Sequence, residues 1–455
     1  MKKDCIKRWA GCLLCWLFLS VQLITPTLLV RAETGAVDFD QELYATGAVL
    51  LDGRSGRMLY GKNAEVPMAM ASTTKIMTCI LVLENCDLQE TLTVSSYASG
   101  MPKVKLYLQK GEEYRVEDLL YSLMLESHND TAVALAEHVG RKRLEQELGE
   151  KPVSEYTTEE SKKAVAAFAA LMNQKAEKLG CKDTYFITPN GLDATETLTL
   201  EDGSTVQREH MTTARDLAVI MAYCVGKSGK SQEFLHITRT GSYSFAANGR
   251  SFCCNNHNAF LNMMEGALSG KTGFTNKAGY CYVGALEREG RIFIVALLAC
   301  GWPNNKGYKW SDTKKLMEYG VVHYRWQDLS DETLLYDAGK LPDIPVAEGQ
   351  TGTLGEHARV AVRIPERETV DKNRETGEET EGEGMLLRED ERVQVKCYLT
   401  RQLEAPVAAG RKVGKIEYLL GDEVFKTETI VTAASVERID LVWCIRQIFR
   451  CFTGI

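Results

Sequence analysis

The chain has 455 residues, 44% of them hydrophobic and 25% charged, and a net charge of -8. That length predicts two or three domains rather than one, with enough apolar residues to build a soluble core. The acidic balance excludes broad nucleic-acid binding, which needs a basic face.

Lys2, Lys3, Lys7 and Arg8 precede an almost continuously apolar run from Trp9 to Val30. Val30-Arg31-Ala32 then places small residues at both cleavage-determining positions, so residues 1–32 read as a secretory signal peptide. An uncleaved membrane anchor is the competing reading. Either way, residues beyond about 33 are expected on the extracytoplasmic side. Of 14 cysteines, Cys5, Cys12 and Cys15 fall in the signal, leaving the odd number 11. A chain with this much core needs no disulfide framework, and the cysteines are read as mostly free. Beyond the signal no CxxC or HExxH pattern occurs, so neither metal nor cofactor is expected.

Residues 46–60 alternate and turn like a β-hairpin around Asp52-Gly53-Arg54-Ser55-Gly56. From Ser72 the period becomes helical, with Ile76, Cys79, Ile80 and Leu83 on one face and Ser72 and Lys75 one turn apart. Val116–Leu125 predicts a second helix and Thr131–Val139 a third, so Ser127-His128-Asn129 forms a short connector between them. Arg141–Lys163 is charged and reads as a surface excursion before a helix at Ala164–Leu179. Thr188-Pro189-Asn190-Gly191 signals a turn, and Thr212–Tyr223 reads as a helix capped by Thr212 or Thr213. Lys271-Thr272-Gly273 leads into strands at Tyr280–Leu286 and Ile292–Leu298, on the edge of an antiparallel sheet facing the helices. The fold class expected is α+β.

A second module is expected from about Thr333. Its alternating runs Val360–Ile364, Val393–Leu399, Val413–Tyr418 and Val424–Val431 suggest a small β-sandwich-like domain. Pro365–Glu383 interrupts it as an acidic, solvated insertion. Near the C-terminus Val442, Ile445, Ile448, Phe449 and Phe452 share one helical face opposite Arg446, Gln447 and Arg450. Too short to span a bilayer, this helix is expected to lie in a membrane surface with Trp443 at headgroup depth; the competing expectation is a helix packed back on the β-module. The expected organisation is therefore signal 1–32, catalytic domain 33–328, β-rich domain 333–434 with its insertion at 365–383, and amphipathic helix 435–455.

Three strings carry chemistry: Ser72-Thr73-Thr74-Lys75, Ser127-His128-Asn129 and Lys271-Thr272-Gly273. A serine hydroxyl needs a base, and Lys75 can serve if burial and a second cation (Lys271 is the candidate) keep it neutral. Ser-x-x-Lys alone says little, because Ser311-Asp312-Thr313-Lys314 also fits; that copy reads as a solvated helix turn. The three strings in this order carry the argument jointly.

In these strings the chain resembles the serine-type D-alanyl-D-alanine carboxypeptidases, the low-molecular-mass penicillin-binding proteins of the peptidase S11 family. The segments Thr188–Asp193, Thr213–Ala218, Asn256–Leu261 and Lys271–Gly279 are similar to landmarks of that family, and the likeness covers about 40–325. The β-rich module and amphipathic tail resemble the family's C-terminal domain and membrane anchor. The resemblance implies a penicillin-binding transpeptidase-like fold. It also implies that Ser72 acylates on a peptidoglycan stem peptide, with Lys75 as base and Ser127 as proton relay. Asn129 would bind the substrate amide. Lys271 and Thr272 would bind the terminal carboxylate, beside Gly273, and the N–H groups of Ser72 and Phe274 would form an oxyanion hole. β-Lactams would trap the ester.

The sequence departs from the family at His128, where a small residue is usual. His128 is expected to face outward, and Asp130 to cap the following helix. A class A β-lactamase would need Glu-x-x-Leu-Asn; the one Leu-Asn is Leu261-Asn262, preceded by Asn258. The same three strings would also be compatible with a D,D-endopeptidase, and the fold alone with a non-catalytic wall-binding scaffold.

Overall fold

The computed structural model describes residues 39, 41–144, 151–200, 202–329, 334–367 and 384–453. The expected signal peptide and residues 368–383 of the expected insertion lie outside the described residues.

The Asp52–Gly56 turn folds β1 (Gly47–Asp52) onto β2 (Met58–Lys62), as alternation predicts. Three later strands complete the sheet: β3 (Ala267–Thr275), β4 (Gly279–Arg288) and β5 (Arg291–Leu298). Their order is β2-β1-β5-β4-β3, antiparallel throughout, so β3 and its Lys271-Thr272-Gly273 string form one edge.

Because side chains alternate along a strand, the sheet feeds two cores. Val49, Leu51, Val283, Ala285, Ile294 and Ala296 face a large helical layer. Ala48, Leu50, Tyr282, Phe293, Val295 and Leu297 face the other side.

The helical layer centres on α1 (Lys75–Asn85), entered through a 3₁₀ turn at Ala71–Thr74. The sequence pattern marks one apolar face, but every α1 residue from Lys75 to Leu83 is buried. This helix is sheathed on all sides. Around it stand α2 (Asn129–Arg143), α3 (Thr158–Lys178), α4 (Ala214–Ala222) and α5 (Ser231–Arg239). Thr213 caps α4 by accepting the Asp216 N–H, and Thr157 with Glu160 forms a capping box on α3. The expected surface excursion at Arg141–Lys163 is corrected: its described part is largely helical, and Val153, Tyr156 and Ser161 are buried.

On the other side of the sheet, α6 (Tyr308–His323) packs so closely that a Cβ on Gly320 would meet Phe293 at 2.8 Å. The chain then enters the β-rich region. Strand β6 (Tyr324–Asp328) continues directly from α6 and pairs with β10 (Gly384–Arg388). Between them in sequence lie β7 (Ile344–Ala347), β8 (Arg359–Val360) and β9 (Val362–Arg363). After β10 come β11 (Val393–Leu399), β12 (Leu403–Glu404), β13 (Lys412–Leu420) and β14 (Glu423–Thr432). They form a four-stranded sheet β9-β14-β13-β11 and a three-stranded sheet β8-β7-β12 over a shared core of Ile344, Val346, Val413, Ile416 and Ile430. This region touches the first hairpin: Asp52 Oδ2 accepts the Leu386 N–H at 2.9 Å, and Arg57 pairs with Glu391.

Helix α7 (Leu441–Thr453) follows. Its apolar residues Leu441, Val442, Ile445, Ile448 and Phe452 are exposed, so the helix does not pack its apolar face back on the β-region. Off that face, the Trp443 indole N–H donates to the Thr351 carbonyl at 3.2 Å. Among the described residues no helix is long and apolar enough to cross a membrane, and all eleven described cysteines are free.

Candidate active site

The turn before α1 is forced into its shape by close packing. Ala71 takes a left-handed φ of 48°, and two glycines press on the turn from outside. A Cβ on Gly191 (φ +83°) would fall 2.0 Å from the Ala71 carbonyl oxygen. One on Gly273 would fall 3.0 Å from Ser72 N, so a residue without a side chain at 273 lets the β3 edge approach the serine closely.

Ser72 then sits one turn from Lys75, whose Nζ lies 2.9 Å from Ser72 Oγ. The same nitrogen contacts Asn129 Oδ1 at 3.0 Å and the Asn190 carbonyl at 2.7 Å. Lys75 is fully buried, and desolvation, reinforced by the Lys271 charge, holds its pKa well below the usual lysine value; Asp130 opposes the shift. A neutral amine has two N–H groups and one lone pair. Asn129 Oδ1 and the Asn190 carbonyl can only accept, so they take the two N–H groups. The lone pair is left for the Ser72 hydroxyl.

Lys271, on the β3 edge, is 3% exposed, and burial brings its pKa down to about 7. Its ammonium donates to the Thr272 carbonyl at 3.1 Å, while Thr272 itself is half-buried and Phe274 exposed. Ser127 closes a helical segment (Val116–Tyr121) whose last turn, Ser122–Glu126, widens to π-helical geometry. It takes a left-handed φ of 66°, a conformation non-glycine residues adopt only under constraint. Its hydroxyl is enclosed and makes no hydrogen bond among the described residues, and neither Ser127 nor Lys271 hydrogen-bonds to Lys75. Asn129 opens α2 and fixes its amide by donating to the Lys103 carbonyl at 3.1 Å.

Two expectations next to this string are corrected. His128 is buried, not outward: Nδ1 lies 2.8 Å from Ser122 Oγ, and burial lowers its pKa. Asp130 is not the cap of α2 but a buried first-turn residue. Its carboxylate accepts the backbone N–H groups of Leu106 and Leu108, tying the 102–108 loop to the helix that carries Asn129. The second Ser-x-x-Lys copy is as expected, with Ser311 and Lys314 exposed on α6.

Two residues escaped the sequence reading. Asn190 contributes a backbone carbonyl, which no side-chain motif reports. His210 is buried, and its pKa is lowered to about 3 by burial and by Lys75. His210 Nδ1 accepts the N–H groups of Ile187 and Thr188 at 3.0 and 3.3 Å. The proton therefore sits on Nε2, which donates to Thr74 Oγ1 at 2.8 Å, and Thr74 donates on to the Ala71 carbonyl. His210 thus joins the loop bearing Asn190 to the turn bearing Ser72.

A family model described as D-alanyl-D-alanine carboxypeptidase, peptidase S11, matches residues 33–143 and 161–300. The chain belongs to that family. The C-terminal domain of penicillin-binding protein 5 matches residues 387–438. D-alanyl-D-alanine carboxypeptidase DacF of Bacillus subtilis is 26% identical over 70% of this chain and 72% of its own length. DacD of Salmonella typhimurium is 26% identical over 92% of this chain and 94% of its own. The crystal structure of the D-alanyl-D-alanine carboxypeptidase DacD from Francisella tularensis superposes with a TM-score of 0.61. It covers 88% of this chain and 95% of its own at 22% identity, a likeness of fold.

Proposed function

We propose that this S11-family chain is a serine D-alanyl-D-alanine carboxypeptidase that removes the terminal D-alanine from peptidoglycan stem pentapeptides and binds penicillins. The observation that carries the reading is Lys75: buried, held toward neutrality, with two contacts that only accept and a third to Ser72.

Ser72 Oγ attacks the carbonyl between the two D-alanines as its proton passes to Lys75 Nζ. The oxyanion is held by the N–H groups of Ser72 and Phe274. Collapse breaks the C–N bond, and the departing amine takes a proton through Ser127 from the Lys75 ammonium. Water then hydrolyses the Ser72 ester, with neutral Lys75 again as base. Lys271 and Thr272 hold the substrate's terminal carboxylate, Asn129 its amide, and Gly273 keeps the β3 edge close to the serine. β-Lactams acylate the same hydroxyl.

The domain limits proposed are a signal at 1–32, the catalytic domain to about 328 and the β-rich domain from about 333. The chain is secreted and held at the outer face of the cytoplasmic membrane by α7, whose exposed apolar residues share one face with Arg446 and Arg450 off it. The test is to give the purified protein a stem pentapeptide and assay free D-alanine. Release that Ser72→Ala abolishes is expected, and absence of release from the wild type overturns the reading.

A further inference from the structure

At the opposite end of α1 from Lys75, three ligand-type side chains converge. Cys86 caps the helix, Glu90 follows one turn later, and His138 reaches across from α2. Cys86 Sγ, a Glu90 carboxylate oxygen and a His138 ring nitrogen all lie within 4.8 Å of one another. His138 Nε2 is 2.9 Å from Glu90 Oε2, and all three residues are half-buried. A cation already stands among them. The Lys142 ammonium donates to Glu90 Oε2 at 2.6 Å, to the Asn85 carbonyl at 3.2 Å and to Cys86 Sγ at 3.5 Å.

We propose that Cys86, Glu90 and His138 form a binding site for one zinc-class divalent ion, which displaces the Lys142 ammonium into solvent. Thiolate, imidazole and carboxylate together suit zinc or cobalt rather than magnesium or calcium, whose sites are all oxygen. Three protein ligands leave a fourth tetrahedral position for water. Two anionic ligands and a neutral imidazole leave a 2+ ion with no net charge. Before binding, the Glu90 carboxylate and the Lys142 ammonium likewise cancel, so the exchange leaves the half-buried cluster neutral. Lys142 can leave because its side chain is 36% exposed and long.

The exchange is balanced without redox chemistry. The Cys86 S–H bond breaks, the sulfur–metal bond forms and one proton goes to solvent. The metal draws that proton off as it binds. Motif spacing does not reveal this set, because its ligands come from two segments 48 residues apart in sequence.

The consequence is structural. Cys86 lies eleven positions beyond Lys75 along the helix, about 16 Å. The ion therefore cannot touch the reacting atoms. It would staple the end of α1 to α2, the two helices whose first residues are Lys75 and Asn129.

The test uses the full chain, reduced, freed of metal with a chelator and titrated with Co²⁺ alone. We expect a thiolate-to-cobalt charge-transfer band that saturates at one ion per chain, one proton released per ion, a higher Tm, and loss of the band when Zn²⁺ is added. Cys86→Ala should abolish the band although the other described cysteines remain. Glu90→Gln and His138→Gln should each weaken binding by about tenfold or more, and Lys142→Ala should strengthen it by a similar factor. A band that persists in Cys86→Ala overturns the proposal, as does the absence of a band in both wild type and Lys142→Ala. Unchanged affinity in both His138→Gln and Glu90→Gln would do the same if Cys86→Ala fails to fold.

Discussion

Asn190 presents its backbone carbonyl 2.7 Å from Lys75 Nζ, and with Asn129 it leaves the lysine lone pair facing Ser72. The acceptor at residue 129 therefore controls the base. Asn129→Asp would set an anion beside Nζ and favour the ammonium. The acid limb of penicillin acylation should move about 1–2 pH units higher, read from acylation rate against pH.

Lys271 sets the other limb. Burial lowers its pKa to about 7, so in the free enzyme the carboxylate-binding charge is lost as pH rises through that value. kcat/KM for a substrate with a free C-terminal carboxylate should fall on the alkaline side, while a bound carboxylate protects the ammonium and holds kcat to higher pH. Lys271→Gln should remove this limb and lower kcat/KM by the equivalent of about 1.5–3 kcal/mol.

His210 makes folding acid-sensitive. Its folded pKa is about 3 against an ordinary 6.5, so between those values the unfolded chain binds a proton the folded chain refuses. Stability is complete above about 6.5 and falls as pH drops toward 3. His210→Gln should be less stable near neutrality, through its lost hydrogen bonds, yet show a shallower decline of Tm between pH 6.5 and 4. An unchanged slope would mean that the buried imidazole is not the cause.

Gly191 and Gly203 share a left-handed backbone, at φ +83° and +81°, but only Gly191 is crowded, by Ala71 and Thr74. Gly203→Ala should cost backbone strain alone, about 1–2 kcal/mol. Gly191→Ala must also push the serine turn aside, so it should lower Tm further and slow acylation of Ser72. Equal effects of the two substitutions would contradict this packing account.

For α7, the cut matters. Val436 pairs with Val407 in both directions and closes the β-region core, so removing it damages the fold. A chain ended after Asp440 keeps that pairing. It should leave the membrane fraction while retaining D-alanine release, checked by fractionation and assay; persistence on membranes would point to the N-terminal segment as the anchor.

Where local chemistry dictates the element, the sequence was readable. The hairpin at Asp52–Gly56, the Thr213 cap and the edge position of Lys271 follow from alternation, turn residues and capping. Ser72, Lys75 and Asn129 were legible as candidates because side chains of complementary chemistry stand in ordered strings, and the structure brings these three into hydrogen-bonding contact. His128 was misread because the widened turn before it brings Ser122, six residues earlier, against its ring, and Asp130 because the 102–108 loop folds over it from more than 20 positions away. Asn190 and His210 stayed hidden for related reasons. One acts through its backbone, and the other acts through contacts to residues 23 and 136 positions away.

The central claim is that the Ser72 hydroxyl, activated by neutral Lys75, is the group that is acylated. Its most direct test is intact-mass and peptide-mapping analysis of the protein after brief exposure to benzylpenicillin. One adduct, located on Ser72, absent from Ser72→Ala and retained in Ser311→Ala, is the predicted result. An adduct of the same mass on Ser72→Ala would contradict the account.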